Sequence, residues 1–303
     1  MKTSSFAQSQ DIIVTYETDR DNSVSFNYEK KVPGNYTISV KFNNLQNASS
    51  SGHEQVVNNS SGLLFKLRPL RGEEVITFSY SYNYVQGDIN AKPDTAFVYT
   101  LPFRKGKKLT PIELSFIGKT YFKDTEPVNW KAFRFSFKTP DTACAIRKGV
   151  VVKIENKYQL DTSIAVSYTS KQNSIRIEHE DGTMALYSGF QQNSIFVREG
   201  DIVIPQTNLG ILSRYDSNKN YYLSVQLYYY GKMKIDEYLE KHKGQTLTKT
   251  AKLQTYINPN FLTTEGIVKL SPRKQYEVDI NEEIFTKEFT KKELKNYKKM
   301  IVK

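Results

Sequence analysis

Few residues of this chain could do metal or nucleophile chemistry. The sequence contains three histidines, His53, His179 and His242, and a single cysteine, Cys144. A catalytic zinc ion needs three nitrogen, sulfur or carboxylate ligands and an open position for water, and no pair among these four residues has the spacing of a ligand pair. We therefore predict no catalytic residue, no metal and no cofactor.

His179 and Cys144 each have a plain structural interpretation. His179 lies between two glutamates in the stretch IEHEDG, a turn, and we expect it to be a solvated loop residue. Cys144 lies between two alanines, which predicts a buried, inert thiol. A lone cysteine excludes an intramolecular disulfide, and we do not expect a Cys-His dyad between Cys144 and His179.

Four segments between Thr139 and Tyr230 follow one another in a recognisable order: PDTACAIRKGVVVKI, NSIRIEHEDGTMALYSGF, VREGDIVIPQTNLGILS and YYLSVQLYYYG. This order resembles the core of the lysostaphin/LytM-type zinc endopeptidases, which cut peptidoglycan cross-bridges. A preceding motif, Tyr-Thr-Leu-Pro-Phe at residues 99–103, resembles a segment found before the core in one exported branch of the family. The resemblance covers about Asp94 to Gly231. One glycine of the family, before the second turn, is Gln206 here, so we expect that turn to differ.

The resemblance also identifies the positions of the family's zinc ligands. That family binds zinc through a His and an Asp four residues later, a His in the central hairpin, and a His-x-His strand. The corresponding residues here are Ala132, Ser136, Gly189, Tyr222 and Ser224. Because every ligand is replaced, the resemblance implies a pseudoenzyme, which keeps the scaffold of a zinc endopeptidase without its catalysis.

Strand periodicity predicts what faces the former ligand site. Successive side chains of a strand point to opposite faces, so the three Phe of residues 133–138 share one face and the polar side chains share the other. In the last strand, Tyr222, Ser224 and Gln226 are expected on that second face. Together with two hairpin residues they define the candidate groove: Arg134, Ser136, Lys138, Tyr187, Gly189, Tyr222, Ser224 and Gln226. This groove is neutral to basic, and it is either retained for binding a partner or decayed to solvated surface.

Length and pattern predict a mostly β protein of more than one domain. Residues 11–88 contain short alternating strands separated by turn-rich stretches, which favours an immunoglobulin-like β-sandwich after a mature N-terminal tail at residues 1–10. A LytM-like antiparallel β domain follows at residues 89–232, and a C-terminal extension with short helices at residues 233–303. The serine- and asparagine-rich run at residues 47–61 is expected to form a long mobile loop.

The C-terminal extension contains two predicted helices. The first is KIDEYLEKHKG, and the second begins near Thr290, whose spacing to Glu293 is that of a capping box. In the second helix, Leu294, Tyr297 and Ile301 fall on one face and the lysines on the other. Such a basic amphipathic helix lies on an anionic membrane, docks into a partner groove, or covers the protein's own core.

Charge and terminal sequence indicate where the chain works. A formal net charge of +11 suits anionic partners such as wall polymer, lipid head groups or acidic protein surfaces. We expect no nucleic acid partner, because no basic stretch interleaves with a stacking aromatic motif. No run of about twenty apolar residues occurs, so we predict no membrane-spanning helix. The start, KTSSFAQSQD, is similar to the tail of a cleaved export signal, and we expect Met1 to be added at or near a mature terminus.

These expectations combine into two functional hypotheses. The first is an exported, catalytically inactive peptidase-like protein of the bacterial periplasm or outer-membrane periphery, which regulates a cell-wall hydrolase or binds peptidoglycan. The alternative is a structural accessory subunit of an outer-membrane or envelope protein complex. Both have an envelope protein as partner, and both allow contact with an anionic membrane surface through the C-terminal helix.

Overall fold

The computed structural model describes residues 11–114, 129–159, 171–214, 220–231 and 254–301. The chain divides into two compact units, a first unit of Met1–Asn90 with Gly231–Lys249 and a second unit of Ala91–Tyr230 with Thr250–Lys303. The predicted mostly β class, with antiparallel sheets and a short C-terminal helix, is confirmed. The domain bounds given above stay predictions. The described residues include no helix that is both long enough and apolar enough to cross a membrane.

The first unit packs two three-stranded antiparallel sheets around one core. One sheet has the order β1-β2-β5 and the other the order β4-β3-β6. The strands are β1 (Ile12–Thr18), β2 (Val24–Lys30), β3 (Tyr36–Gln46), β4 (His53–Val57), β5 (Ser61–Leu67) and β6 (Thr77–Gln86). Alternate residues such as Val24 and Phe26 of β2 and Ile38 and Val40 of β3 are buried in a shared cluster, as period-2 patterning requires when one face of each sheet is covered.

The prediction of a long loop at residues 47–61 is wrong in part, because strand β4 lies inside this range. His53 begins this strand, its ring lies 4.4 Å from that of Phe65, and its Nε2 is 3.1 Å from the Oε1 of Gln55. The long tyrosine-rich strand β6 also contacts the other sheet: the hydroxyl of Tyr80 donates to the carbonyl oxygen of Val14 at 2.9 Å. Pairing of β4 with β3, together with the contact of His53 with the other sheet, therefore orders a stretch whose local sequence is typical of loops.

The second unit is built on one large antiparallel sheet with strand order β15-β12-β13-β14-β17-β10-β9. Off this path, β16 pairs with both β11 and β14, and β18 pairs with β17. The members of this sheet are β9 (Pro111–Glu113), β10 (Phe133–Phe137), β11 (Thr142–Cys144), β12 (Gly149–Glu155), β13 (Asn173–Glu178), β14 (Met184–Ile195), β15 (Ile202–Val203), β16 (Asn208–Leu212), β17 (Tyr221–Tyr230) and β18 (Gln254–Tyr256).

Two small sheets and two helices complete the described part of the second unit. The small sheets have the orders β20-β19-β7 and β21-β8, and β7 runs parallel to β19. Their strands are β7 (Val98–Thr100), β8 (Lys108–Leu109), β19 (Asn260–Thr263), β20 (Gly266–Val268) and β21 (Tyr276–Glu277), and the helices are α1 (Glu282–Thr286) and α2 (Lys291–Ile301). The first predicted helix, KIDEYLEKHKG, lies outside the described residues.

The core of the second unit explains the Tyr-Thr-Leu-Pro-Phe motif. Leu101 and Phe103 are fully buried, and the ring of Phe103 meets that of Phe135 edge to face at 5.8 Å. The turn residue Gln206 keeps a left-handed backbone with φ 68°, although glycine is the usual residue there. Its side-chain amide donates to the carbonyl oxygen of Phe103 at 3.0 Å. A turn therefore forms here without a glycine, and its glutamine side chain holds the motif in place.

Helix α2 starts as the sequence predicts. The backbone N–H of Thr290 donates to Oε2 of Glu293 at 2.6 Å, and the N–H of Glu293 donates to the Thr290 hydroxyl at 3.2 Å, which is the reciprocal pattern of a capping box. Leu294 and Tyr297 are half-buried on one side of the helix. The side chain of Ile301 lies outside what the structure describes.

Candidate functional site

Strands β10, β17 and β14 bring most of the candidate groove together. Arg134 pairs with Ser224, Ser136 pairs with Tyr222, and Ser224 pairs in turn with Ser188 of β14. Since directly opposite residues of an antiparallel pair share a face, Arg134, Ser136, Tyr222 and Ser224 lie side by side on the sheet.

The four residues differ in exposure. Tyr222 is 3% exposed and Ser224 is 6% exposed, whereas Ser136 is exposed and Arg134 is half-buried. The guanidinium carbon of Arg134 lies 4.3 Å from the centre of the Tyr222 ring, a cation-π contact that covers the tyrosine. The accessible part of this face is therefore its Ser136 end.

The remaining groove residues lie at its borders or behind it. Lys138 follows the end of β10 and is exposed, and Gln226 is half-buried opposite Leu186. Tyr187 does not belong to the groove. It is fully buried in the core cluster, its hydroxyl accepts the backbone N–H of Ile146 at 3.0 Å, and burial raises its pKa. Tyr187 points to the core because it pairs with Val225, whose side chain is on the core face.

Gly189 lies where the resemblance places a histidine, and the backbone leaves no room for a side chain. Its φ is +122°, a conformation that L-residues rarely adopt. A Cβ added there would lie 2.2 Å from the carbonyl oxygen of Tyr222. The hairpin strand β14 thus approaches β17 too closely for any ligand residue at this position.

The other ligand positions are equally unsuited to zinc. Ala132 is fully buried with Leu114 and Trp130, and the neighbouring positions offer a serine hydroxyl at Ser136, a phenol at Tyr222 and a second hydroxyl at Ser224. Zinc in proteins takes imidazole, thiolate or carboxylate ligands. Across the described ranges, no group of three or more His, Cys, Asp or Glu residues could hold a metal ion. The residues at these positions do not fit the zinc ion that the family binds.

A second polar group of the same unit, absent from our sequence-based predictions, surrounds Arg147 in the connection between β11 and β12. Arg147 is 3% exposed, and its guanidinium stacks 3.7 Å above the ring of Phe97. One amino group donates to Asp181 at 2.9 Å and the other to Glu288 at 2.7 Å, and its Nε also donates to Glu288 at 3.1 Å. We call this group the arginine cluster, which comprises Tyr99, Arg147, His179, Asp181, Thr183 and Glu288.

The pKa values of Arg147 and Asp181 are each shifted in the direction that favours the charged form. Burial by itself would raise the pKa of Asp181, but Arg147 and the hydroxyl of Thr183 outweigh it, and the pKa of this carboxyl is lowered. Burial disfavours the charged form of Arg147, yet the bonds to Glu288 and the charge of Asp181 hold its pKa above the ordinary value. Both shifts stabilise the charged forms of Arg147 and Asp181.

His179 belongs to this cluster, and the prediction that it is a solvated loop residue is wrong. It is 2% exposed, and its Nδ1 donates to the carbonyl oxygen of Lys148 at 2.8 Å. Burial, followed by the charge of Arg147, lowers its pKa to about 3, so the imidazole is neutral. Cys144, by contrast, is buried as predicted, and burial raises its pKa to about 11. His242 lies outside the described residues.

The sequence did contain a signal for the arginine cluster. Arg147 follows Ala143–Ile146, an apolar run, and only Lys148 separates it from Gly149–Val152. A charged residue inside such a run is buried with its neighbours, and a buried charge needs partners. The identity of the partners was not readable, because Asp181 and Glu288 are 34 and 141 residues away.

The cluster also fixes the C-terminal segment to the sheet. Lys148 donates to the carbonyl oxygen of Glu288 at 2.9 Å and to Oε2 of Glu293 at 2.7 Å. The ammonium of Lys287 lies 4.4 Å from the centre of the Phe97 ring. Two adjacent basic residues, Arg147 and Lys148, thus hold two acids of the C-terminal segment: Glu288 between α1 and α2, and Glu293 in the first turn of α2.

Comparison with known proteins adds little. No family model matches the sequence, and no curated protein matches it. Among solved structures, one described as "Structure of the SpoIIQ-SpoIIIAH pore forming complex" is similar at 16% sequence identity and a TM-score of 0.29. The match covers 50% of this chain and 99% of that chain. At this identity and TM-score, the similarity has no bearing on what the chain does.

Proposed function

We propose that this chain is a catalytically inactive, peptidase-like binding or regulatory module of the bacterial envelope, exported to the periplasm or the outer-membrane periphery. The close approach of Gly189 to Tyr222 carries the proposal. A site that had only lost its ligands could regain them by substitution, whereas here the hairpin backbone occupies the space that a ligand side chain needs. The scaffold therefore serves something other than zinc chemistry.

The exposed end of the candidate groove suits an anionic group on a partner. Ser136 and Lys138 are exposed there, and the half-buried Arg134 lies two residues before Ser136 on the same face of β10. A hydroxyl donor beside an exposed ammonium binds a carboxylate well. The partner would be a cell-wall hydrolase with an acidic surface, or a stem-peptide carboxylate of peptidoglycan.

Three measurements on the purified protein test this proposal. We expect no stoichiometric zinc after dialysis, no fragments released from isolated peptidoglycan, and either co-sedimentation with the peptidoglycan or a changed rate of an added wall hydrolase. Lys138→Glu should weaken that binding or that rate effect, while Lys153→Glu, an exposed lysine on β12, serves as the matched control. Zinc-dependent cleavage would overturn the proposal, and so would an equal loss in both variants.

One observation favours the alternative, a structural accessory subunit of an envelope complex. Tyr222 and Ser224 are buried, so only part of the groove is accessible to a ligand. Under this alternative the groove is vestigial and other surfaces dock. Purification from detergent-solubilised envelope separates the two functions, because a stoichiometric membrane-complex partner supports the subunit and a wall hydrolase supports the regulator.

A further inference from the structure

Helix α2 carries an unusually segregated charge pattern. Five of its eleven residues are lysines, and all five are exposed. At about 100° of rotation per residue, they fall within an arc of roughly 120°. We call this arc the lysine face, which consists of Lys291, Lys292, Lys295, Lys298 and Lys299.

The acidic residue of the helix lies on the opposite side. Glu293 is about 160° from the centre of the lysine face on the same helical rotation, and it is bound to Lys148 at 2.7 Å. Just before the helix, Glu288 is bound to Arg147 at 2.7 Å. Both carboxylates are therefore paired with cations of the connection between β11 and β12, and these two ion pairs leave the lysine face pointing away from that connection.

The apolar side of α2 is also engaged. The ring of Tyr297 lies 5.3 Å from that of Phe285 and 5.9 Å from that of Phe289, and Leu294 is half-buried. An interfacial helix inserts its apolar face into a bilayer, but this face already packs against α1 and the segment that follows it. Any contact made by the lysine face is therefore electrostatic and does not require insertion.

We propose that the lysine face is a peripheral binding site for an anionic phospholipid surface. Its cations are all lysines, whose ammonium groups act as point charges, and it has no arginine for bidentate recognition of a single phosphate. It presents no aromatic side chain for stacking on bases, because Tyr297 lies on the other side of the helix. A row of point charges about 12 Å long matches a surface of diffuse negative charge.

This inference adds a membrane partner to the proposed function, and its biological setting rests on the envelope location proposed above. The binding itself is a property of the purified chain. Each lysine near an anionic membrane contributes on the order of fivefold in affinity, and the effect falls with salt as the screening length shortens. Three lysines removed together should weaken binding about a hundredfold.

The experiment compares the full-length protein with two triple variants. Lys291, Lys295 and Lys299 form the central row of the lysine face at a spacing of four residues, and all three are changed to Gln. The control carries the same change at three exposed lysines elsewhere in the second unit: Lys92, Lys153 and Lys269. Co-sedimentation is measured with phosphatidylcholine vesicles that contain or lack phosphatidylglycerol, at low and high salt, after circular dichroism shows equal folding.

We expect salt-sensitive binding to the phosphatidylglycerol vesicles only, with about a hundredfold loss in the α2 variant and little loss in the control. Equal loss in both variants would mean that net charge alone drives binding, which overturns the assignment. Tighter binding to a single-stranded oligonucleotide or to an acidic protein than to the vesicles would also overturn it. A failed vesicle test with intact partner binding at Lys138 refutes this inference alone. Intact vesicle binding with zinc-dependent cleavage refutes the proposed function alone.

Discussion

Two arginines of the second unit are held in opposite ways. Arg147 is 3% exposed and lies between two carboxylates and a phenyl ring, and acceptors match its donors. Arg134 is half-buried against the ring of Tyr222, and its Nε is buried without a hydrogen-bond partner among the described residues. The first arginine is used by the fold. The second makes a cation-π contact and keeps one N–H donor that the described part of the fold does not use.

The environment of each arginine, more than its residue type, indicates whether it stabilises the fold or is available for binding. Removing one member of a buried, hydrogen-bonded ion pair leaves an uncompensated charge and costs several kcal/mol. A cation over an aromatic ring contributes about 1 kcal/mol or less at a partly exposed site. The candidate groove can therefore change its charges at little cost in stability, while the arginine cluster cannot.

The largest expected effect tests whether the former ligand site is closed. Gly189→Ala puts a methyl group 2.2 Å from the carbonyl oxygen of Tyr222 at a φ of +122°, and we expect about 4 kcal/mol of destabilisation in urea unfolding. The control is Gly200→Ala, where φ is +95° and no atom lies within 4 Å. That variant should lose only the conformational part, about 1–2 kcal/mol. Equal losses would show that β14 can move away from β17 and that the site is open to a side chain.

The next effect compares the two arginines directly. Arg147→Met removes the positive charge with which both Asp181 and Glu288 are paired. We expect a loss of about 3 kcal/mol in the free energy of unfolding. Arg134→Met, the matched change, should cost about 1 kcal/mol. In a double-mutant cycle, Glu288→Gln should cost much less once Arg147 is already replaced. Additive losses would mean that the contact between Arg147 and Glu288 contributes little.

A smaller effect depends on pH. The bond from Lys148, followed by that from the N–H of Thr290, lowers the pKa of Glu293 to about 2 from an ordinary value of 4.5. Because the folded pKa is the lower one, its stabilisation is complete above pH 4.5 and is lost as the pH falls from 4.5 to about 2. Glu293→Gln keeps the capping pattern and removes the charge. It should lower stability by about 1 kcal/mol at neutral pH, and the difference in melting temperature from the native chain should disappear near pH 2. A difference that persists there would assign the effect to helix capping.

What the sequence could and could not predict follows the range of the interactions involved. The alternation of Phe133 and Phe135 with Arg134 and the capping box at Thr290 are local patterns, and each appears in the structure as predicted. The burial of Cys144 follows from its apolar neighbours.

The failures come from contacts between distant segments. His179 stands between two glutamates and looks exposed, but the hairpin places it under the carbonyl of Lys148, 31 residues away. Tyr187 was assigned to the groove from the family motif, whereas its register with Val225 turns it to the core. No local pattern in the chain records the bond between Arg147 and Glu288, which determines where the C-terminal segment lies.

The smallest expected effect on stability is at Lys138, and it tests the binding half of the comparison. Lys138 is exposed just beyond β10, and exposed charge changes shift stability by about 0.5 kcal/mol or less. Lys138→Glu should therefore melt like the native chain while its binding to an anionic partner weakens, because a repulsive charge now stands beside Ser136. Arg134→Glu would be a poorer probe, since it also removes the contact with the Tyr222 ring and mixes stability with binding. If Lys138→Glu binds the partner as tightly as the native chain, the exposed end of the groove is not a binding surface. The charge of Arg134 would then serve only its contact with the Tyr222 ring, and the alternative of a structural subunit that docks through other surfaces would be favoured.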